Sequence, residues 1–357
     1  MKRYILFLFL AATFIGHSYG QRKVLLEDFT GAFCANCPLG SYFVDSMATL
    51  YPDLITVSLH TYGIPDSMFF PTIDTIGQAY ALGAPLAAID RIYHAGGTAI
   101  YLTQWNNNIL QRLTAPPKLD VTLSSTWDNA TRDITATMNV NILSDLDSGD
   151  YRISLYIVED SVAHSGPGYD QENIFNQVIG SPFYGLGDPI PGYVHRHVVR
   201  ALLPYAWGLA GVVPATALSS QNFAHVFHYT LPENYNENKV SLVAFVSSYT
   251  ADHHGDSVLN AANEKLNIPL AANVISTVDN NFEIYPNPAR DRMIFSSADV
   301  KSYSLLIYNA LGQVVMQRDF KGRAEITRNE LGNGGLYYAR ILQGREQRMA
   351  LPIMFLQ

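Results

Sequence analysis

Val24-Leu-Leu-Glu-Asp-Phe29-Thr-Gly-Ala-Phe33-Cys34-Ala-Asn-Cys37-Pro38 carries the only two cysteines of the 357-residue chain. Val24 to Phe29 reads as a buried strand. Behind the cysteines, Leu39, Tyr42, Phe43, Met47 and Leu50 recur at helical spacing until Tyr51-Pro52 stops the helix, and Leu54 to Leu59 reads as a second strand. The pattern is strand, helix, strand, with a C-x-x-C pair at the helix N-terminus. There the helix dipole and free backbone N–H groups stabilise a thiolate, drawing a cysteine from about 8.5 toward ~3.5–7.5. A second cysteine one turn on can close the ring or resolve a mixed disulfide. Three chemistries fit such a pair: a redox-active dithiol, an inert structural disulfide, and a zinc site. Zinc would need four ligands, and no second C-x-x-C exists.

Outward from this stretch, composition sets the class. The chain is 48% hydrophobic and only 15% charged, which argues for folded cores and for two to three domains. Met1 to Gly20 reads as a signal peptide: Lys2 and Arg3 open it, an apolar run too short to span a bilayer follows, and Ser18 and Gly20 place cleavage before Gln21. No later apolar run has spanning length, so no transmembrane span is expected. Residues 21–281 carry 11 Lys and Arg against 24 Asp and Glu, a net of −13, whereas 282–357 carry 10 against 7, a net of +3. An acidic body lacks the basic footprint that nucleic acid requires.

Pro116-Pro117 breaks the chain after the cysteine-bearing region. Beyond it lie short alternating segments, Leu119 to Leu123, Ile134 to Val140, Tyr151 to Val158 and Lys239 to Val246, with turn residues such as Asp147-Ser-Gly-Asp150. Period-two alternation with such turns predicts an antiparallel sandwich. Ala163 to Ser220 is rich in Gly and Pro, and reads as a surface-loop excursion. A polar linker, 271–281, leads to a last all-β segment.

Asp28-Phe29, four residues, then Cys34-x-x-Cys37 resembles the thioredoxin superfamily. The resemblance implies that Asp28 is a buried carboxylate relaying a proton for Cys37. It also implies that Gly83-Ala84-Pro85, followed by Leu86 to Ile89, is the cis-proline segment facing the disulfide, and that Trp105 to Leu113 is the terminal helix. Phe33 replaces the usual tryptophan, Ala35-Asn36 differs from the thioredoxin dipeptide, and Pro38 follows the second cysteine. More narrowly, Glu27 to Pro38, His195-Arg-His-Val-Val-Arg200 and Val258-Leu-Asn-Ala-Ala262 look like the outer membrane protein 28 related family, known mainly as exported proteins of Gram-negative bacteria. Phe282-Glu-Ile-Tyr-Pro-Asn-Pro288, the Leu311-Gly312 turn between Tyr303 and Val315, and Gly335-Leu-Tyr-Tyr338 resemble the type A sorting domain of the type IX secretion system.

The expected architecture is therefore an α/β thioredoxin-like domain (21–115), a mostly β sandwich-like domain (116–270), the linker, and an all-β sorting domain (282–357). The expected function is that of an exported cell-surface or secreted protein carrying out thiol–disulfide exchange. Cys34 is the nucleophile, Cys37 the resolving thiol, Asp28 the proton relay and Pro85 the substrate-positioning element. The alternative is a non-enzymatic surface binding or structural protein with an inert disulfide. Expected partners are the type IX secretion machinery and a protein thiol or surface partner; no cofactor and no metal are expected. His195 and His197 would share one face if they lay on a strand, but no carboxylate spacing completes a metal site there. Asp145 to Asp150 lacks the distal Glu of a calcium loop and reads as a turn.

Overall fold

The computed structural model describes residues 21–61, 63, 65–268, 281–309, 313–332, 334–344 and 346–356. The expected signal peptide, nearly all of the linker and the Leu311-Gly312 turn lie outside the described residues. The chain divides into two compact units, ending at and beginning after Ile268.

The first unit runs β1 (Val24–Thr30), α1 (Cys37–Leu50), β2 (Leu54–His60), α2 (Pro71–Tyr80), β3 (Leu86–Ile89), β4 (Ala99–Ile100), α3 (Leu102–Leu113), β5 (Leu119–Asp128), β6 (Asp133–Ile142) and β7 (Asp150–Glu159). It continues through β8 (Val198–Leu203), β9 (Leu209–Ala210), β10 (Asn222–Thr230), β11 (Val240–Tyr249) and β12 (Ser257–Lys265). One sheet carries most of it, in the order β12-β11-β7-β8-β2-β1-β3-β4, with β9 also on β7. β1 and β2 are parallel, as a strand–helix–strand unit requires. The halves expected on either side of Pro116 thus share a sheet.

Each face of that sheet has its own cover, which explains why β1, β2 and β3 are buried throughout. Leu25, Phe29, Val57 and Leu59 meet α2 through Ile73, Ile76 and Tyr80, and the same cluster continues through Tyr156, Val199 and Phe245. Val24, Leu26, Ala87 and Ile89 instead meet α1 and α3 through Val44, Trp105 and Ile109. Farther along, Ile153, Leu155, Leu242 and Ala244 pack on Ile134, Met138 and Val140. Those last residues belong to a second, three-stranded sheet ordered β10-β6-β5. Its strands alternate buried and exposed positions, as a sheet with one wet face should. The antiparallel β5–β6 and β7–β11 pairings follow from the alternating segments read in the sequence.

Two features go beyond the sequence pattern described above. α2 starts at Pro71 and turns Ile73, Ile76 and Tyr80, at helical spacing, into the core. The excursion from Ala163 to Ser220 is not all loop: Val198 to Leu203 is β8, seated between β2 and β7 inside the main sheet.

The second unit comprises β13 (Phe282–Tyr285), β14 (Arg292–Ser297), β15 (Ser302–Tyr308), β16 (Val314–Lys321), β17 (Arg323–Thr327), α4 (Arg328–Leu331), β18 (Gly335–Gln343) and β19 (Glu346–Phe355). Their order is β13-β14-β17-β16-β15-β18-β19, and β16 joins β17 through the single pair Lys321–Arg323. The two arms enclose Met293, Phe295, Leu305, Ile307, Ile326, Ile341, Ile353 and Phe355. Ala289 bridges to β19 by donating to the Met354 carbonyl and accepting from Leu356.

Candidate functional site

Cys34 and Cys37 form a disulfide with a Cα–Cα separation of 5.3 Å. A tight turn leads into it, with Cys34 N–H donating to the Gly31 carbonyl and Cys37 N–H to the Cys34 carbonyl. Helix α1 begins at Cys37, with Pro38 in its first turn, where a missing N–H costs nothing. Cys34 lies just ahead of the helix and is partly exposed, whereas Cys37 is fully buried. The two cysteines therefore differ in exposure.

Period two on β1 separates its adjacent carboxylates. Glu27 points to the α2 face and is fully paired there: Arg91 donates through Nε and Nη2 at 2.8 Å each, and Tyr156 Oη donates at 2.6 Å. Asp28 points to the opposite face, under α1. Its side chain is completely buried, and neither carboxylate oxygen has a hydrogen-bond partner among the described residues. Burial alone pushes its pKa up to about 8. Near neutral pH Asp28 is thus mostly a neutral acid.

Gly40 locates Pro85 relative to this carboxyl. A Cβ at Gly40 would lie 2.6 Å from the Pro85 Cβ and 3.7 Å from Asp28 Oδ1. Gly40 is one turn beyond Cys37, on the same helix face. The first turn of α1, Pro85 and Asp28 therefore meet at one point, and only glycine permits the approach. The Ala84–Pro85 peptide is cis. Pro85 and Asp28 thus lie beside the helix turn that begins at Cys37, and the disulfide joins Cys34 to that turn.

A segment read as a surface loop covers the cysteine turn. Residues 163–197 fold back as a strap over the cysteine loop. Gln171 Nε2 reaches the carbonyls of Gly31, Ala32 and Cys34 at 3.0–3.2 Å. Glu172 N–H donates to Ala32, and Ile174 N–H to Ala35. On the near side, Asp66 accepts from Ala32 N–H and contacts His60 Nδ1 at 2.7 Å. Burial opposes the Asp66 charge, yet His60 and the N–H groups of Ala32 and Met68 hold its pKa below the ordinary value. Gly168 accepts from Ser67 N–H, so close to Pro65 that a Cβ there would overlap the Pro65 carbonyl. A cavity of about 270 Å³ remains beside Phe33, walled by Pro65, Pro167 and Pro189. The strap lacks periodicity, and only its isolated polar residues, Gln171 above all, hint at the contacts.

His195 and His197 do not share a face, because they precede β8 and His197 has a φ of 55°. His195 is buried, with Nε2 at 2.7 Å from the Tyr169 carbonyl and its ring against His60. Burial, then His60, lowers its pKa to about 4. His197 instead contacts Asp45 on α1. Among the described residues, no group of three or more His, Cys, Asp or Glu could hold a metal ion.

Comparison with known proteins covers the chain beyond the cysteine loop. Residues 74–268 match the family described as Outer membrane protein Omp28. The chain belongs to that Omp28 family. Residues 283–351 match the secretion system C-terminal sorting domain. Among solved structures, HBP35 of Porphyromonas gingivalis is similar over 94% of this chain and 99% of its own, at 19% identity and a TM-score of 0.55. A domain of the outer membrane lipoprotein Omp28 from Porphyromonas gingivalis aligns over 43% of this chain and 91% of its own, at 14% identity and a TM-score of 0.24. No curated protein matches. An Omp28-family chain with this tail is an exported protein of the cell surface or outer membrane, handled by the type IX secretion machinery. No helix among the described residues is long and apolar enough to cross a membrane.

Proposed function

We propose that this exported Omp28-family protein carries out thiol–disulfide exchange at Cys34 and Cys37, on a thioredoxin-like frame formed by β1, α1, β2, β3 and α3. The observation that carries the reading is Asp28: a completely buried carboxyl, with no hydrogen-bond partner among the described residues, beneath the helix turn that begins at Cys37. A structural core would be more stable with an apolar residue there. A buried acid with a pKa of about 8 suits proton exchange with a thiol near neutral pH.

In the oxidised protein a partner thiolate attacks the sulfur of the partly exposed Cys34, and the bond between the two cysteines breaks. Its electron pair leaves on Cys37, which takes the Asp28 proton. In the reverse step Asp28 accepts that proton, and the Cys37 thiolate attacks the Cys34 sulfur of the mixed disulfide and releases the partner as a thiolate. Pro85, packed on the turn, positions the partner chain. A specific observation favours the alternative of an inert disulfide on a binding scaffold: the Gln171 amide, with two N–H groups, is shared among carbonyls of the cysteine loop.

Limiting alkylation of the reduced protein near neutral pH separates the two readings. Cys34, partly exposed ahead of the helix, is expected to react first, and Cys37 is expected to stay protected. Equal labelling of both would favour the scaffold.

A further inference from the structure

A different cavity, of about 320 Å³, opens where the end of α3 meets the start of β5 and β12. Its walls include Arg22, Arg112 and Lys118 beside Asp147, Tyr151 and Ser257. Three cations converging here are unexpected in a body whose net charge is −13 over residues 21–281.

Their partners do not balance them. Arg22 and Arg112 both bind the same fully buried Asp90 carboxylate, Arg112 through Nε at 2.8 Å. That carboxylate is further occupied by Leu25 N–H. One carboxylate against two guanidiniums leaves an excess positive charge, and Arg22 is nine-tenths buried. Its Nε–H has no acceptor among the described residues. Burial, opposed by Asp90 and aided by Arg112, holds the Arg22 pKa below its ordinary value, but a guanidinium remains charged at any physiological pH. Lys118 adds a third cation, paired among the described residues with Asp147, whose carboxylate is 86% exposed. Arg22 also donates to the Leu259 and Val258 carbonyls and Arg112 to the Val258 carbonyl, but these acceptors carry no net charge. The excess positive charge calls for an anion, and guanidinium N–H groups match oxyanion geometry.

We infer that this cavity binds a small oxyanion, such as phosphate, sulfate or a carboxylate, between Arg22, Arg112 and Lys118. Asp147 competes with that anion for Lys118. The site is independent of the disulfide.

Inorganic phosphate, sulfate and acetate, each titrated against chloride at matched ionic strength, test this through the thermal unfolding of the full chain. A saturable rise in Tm with at least one of the three oxyanions, absent with chloride, is expected. Asp147→Asn should tighten binding and Lys118→Gln weaken it, each by roughly two- to fivefold, the scale of a partly screened charge. Both substitutions are at exposed positions and leave the fold intact. Arg112→Gln should remove the response. Equal shifts with chloride, or oxyanion shifts unchanged by both Asp147→Asn and Lys118→Gln, would overturn the inference.

Discussion

Replacing Arg91 by Met is expected to destabilise the first unit by about 3–5 kcal/mol, because it strands the buried Glu27 carboxylate. For a unit of this size the Tm should fall by roughly 10 °C. Arg91 is only 2% exposed; it grips Glu27 with two N–H groups, donates to Tyr156 at 2.7 Å, and lies 4.9 Å from the centre of the Phe245 ring. The same account makes the double substitution Glu27→Leu with Arg91→Met much milder than Arg91→Met alone. Removing both charges leaves an apolar contact rather than an orphaned ion. All three tryptophans, Trp105, Trp127 and Trp207, lie in the first unit, so intrinsic fluorescence during urea unfolding reads the effect there. A double variant as unstable as Arg91→Met would show that geometry, not charge pairing, governs this position.

Asp28→Asn is expected to change how stability depends on pH. Folding raises the Asp28 pKa from 3.8 to about 8, so across that window the folded state holds a proton that the unfolded state has lost. Stability therefore falls as pH rises through the window, by about 1.4 kcal/mol per pH unit, and the loss is complete above pH 8. Asn does not titrate, so the variant should lack this slope whatever its absolute stability. Urea unfolding at pH 5, 7 and 9 compares the two slopes. If Asp28 also relays the proton, Asp28→Asn should slow closure of the mixed disulfide by roughly 10²-fold, a general acid–base contribution, and leave its formation nearly unchanged. Parallel stability slopes in the two proteins would remove Asp28 from the mechanism.

The legible parts of this molecule are those with a period. Val24 to Phe29, the α1 stripe from Leu39 to Leu50 and Leu54 to Leu59 marked two strands and a helix, and the structure has them at Val24–Thr30, Cys37–Leu50 and Leu54–His60. Spacing from Asp28 to Cys37 carried the candidate site, since alternation on β1 decides which carboxylate faces α1. Long-range closure was not legible. Val198 to Leu203 is short and follows a Gly/Pro-rich run, yet it pairs with both β2 and β7 and joins the two halves into one sheet. The strap was equally silent, because Gln171 works through backbone carbonyls 137–140 residues away, and a side-chain amide leaves no periodic trace. His195 and His197 share no face for a related reason: alternation matters only on a strand, and the left-handed backbone at His197 ends it.

Cys37→Ser tests exchange at Cys34 most directly. The reduced variant, incubated with a disulfide-bonded peptide, should accumulate a stable mixed disulfide at Cys34 that survives non-reducing electrophoresis, because the resolving thiol is gone. Cys34→Ser, which leaves only the buried Cys37, should form little adduct under the same conditions. Failure of folded Cys37→Ser to form an adduct, while the urea-unfolded variant reacts readily, would contradict the exchange reading and leave the disulfide a fixed part of a binding scaffold.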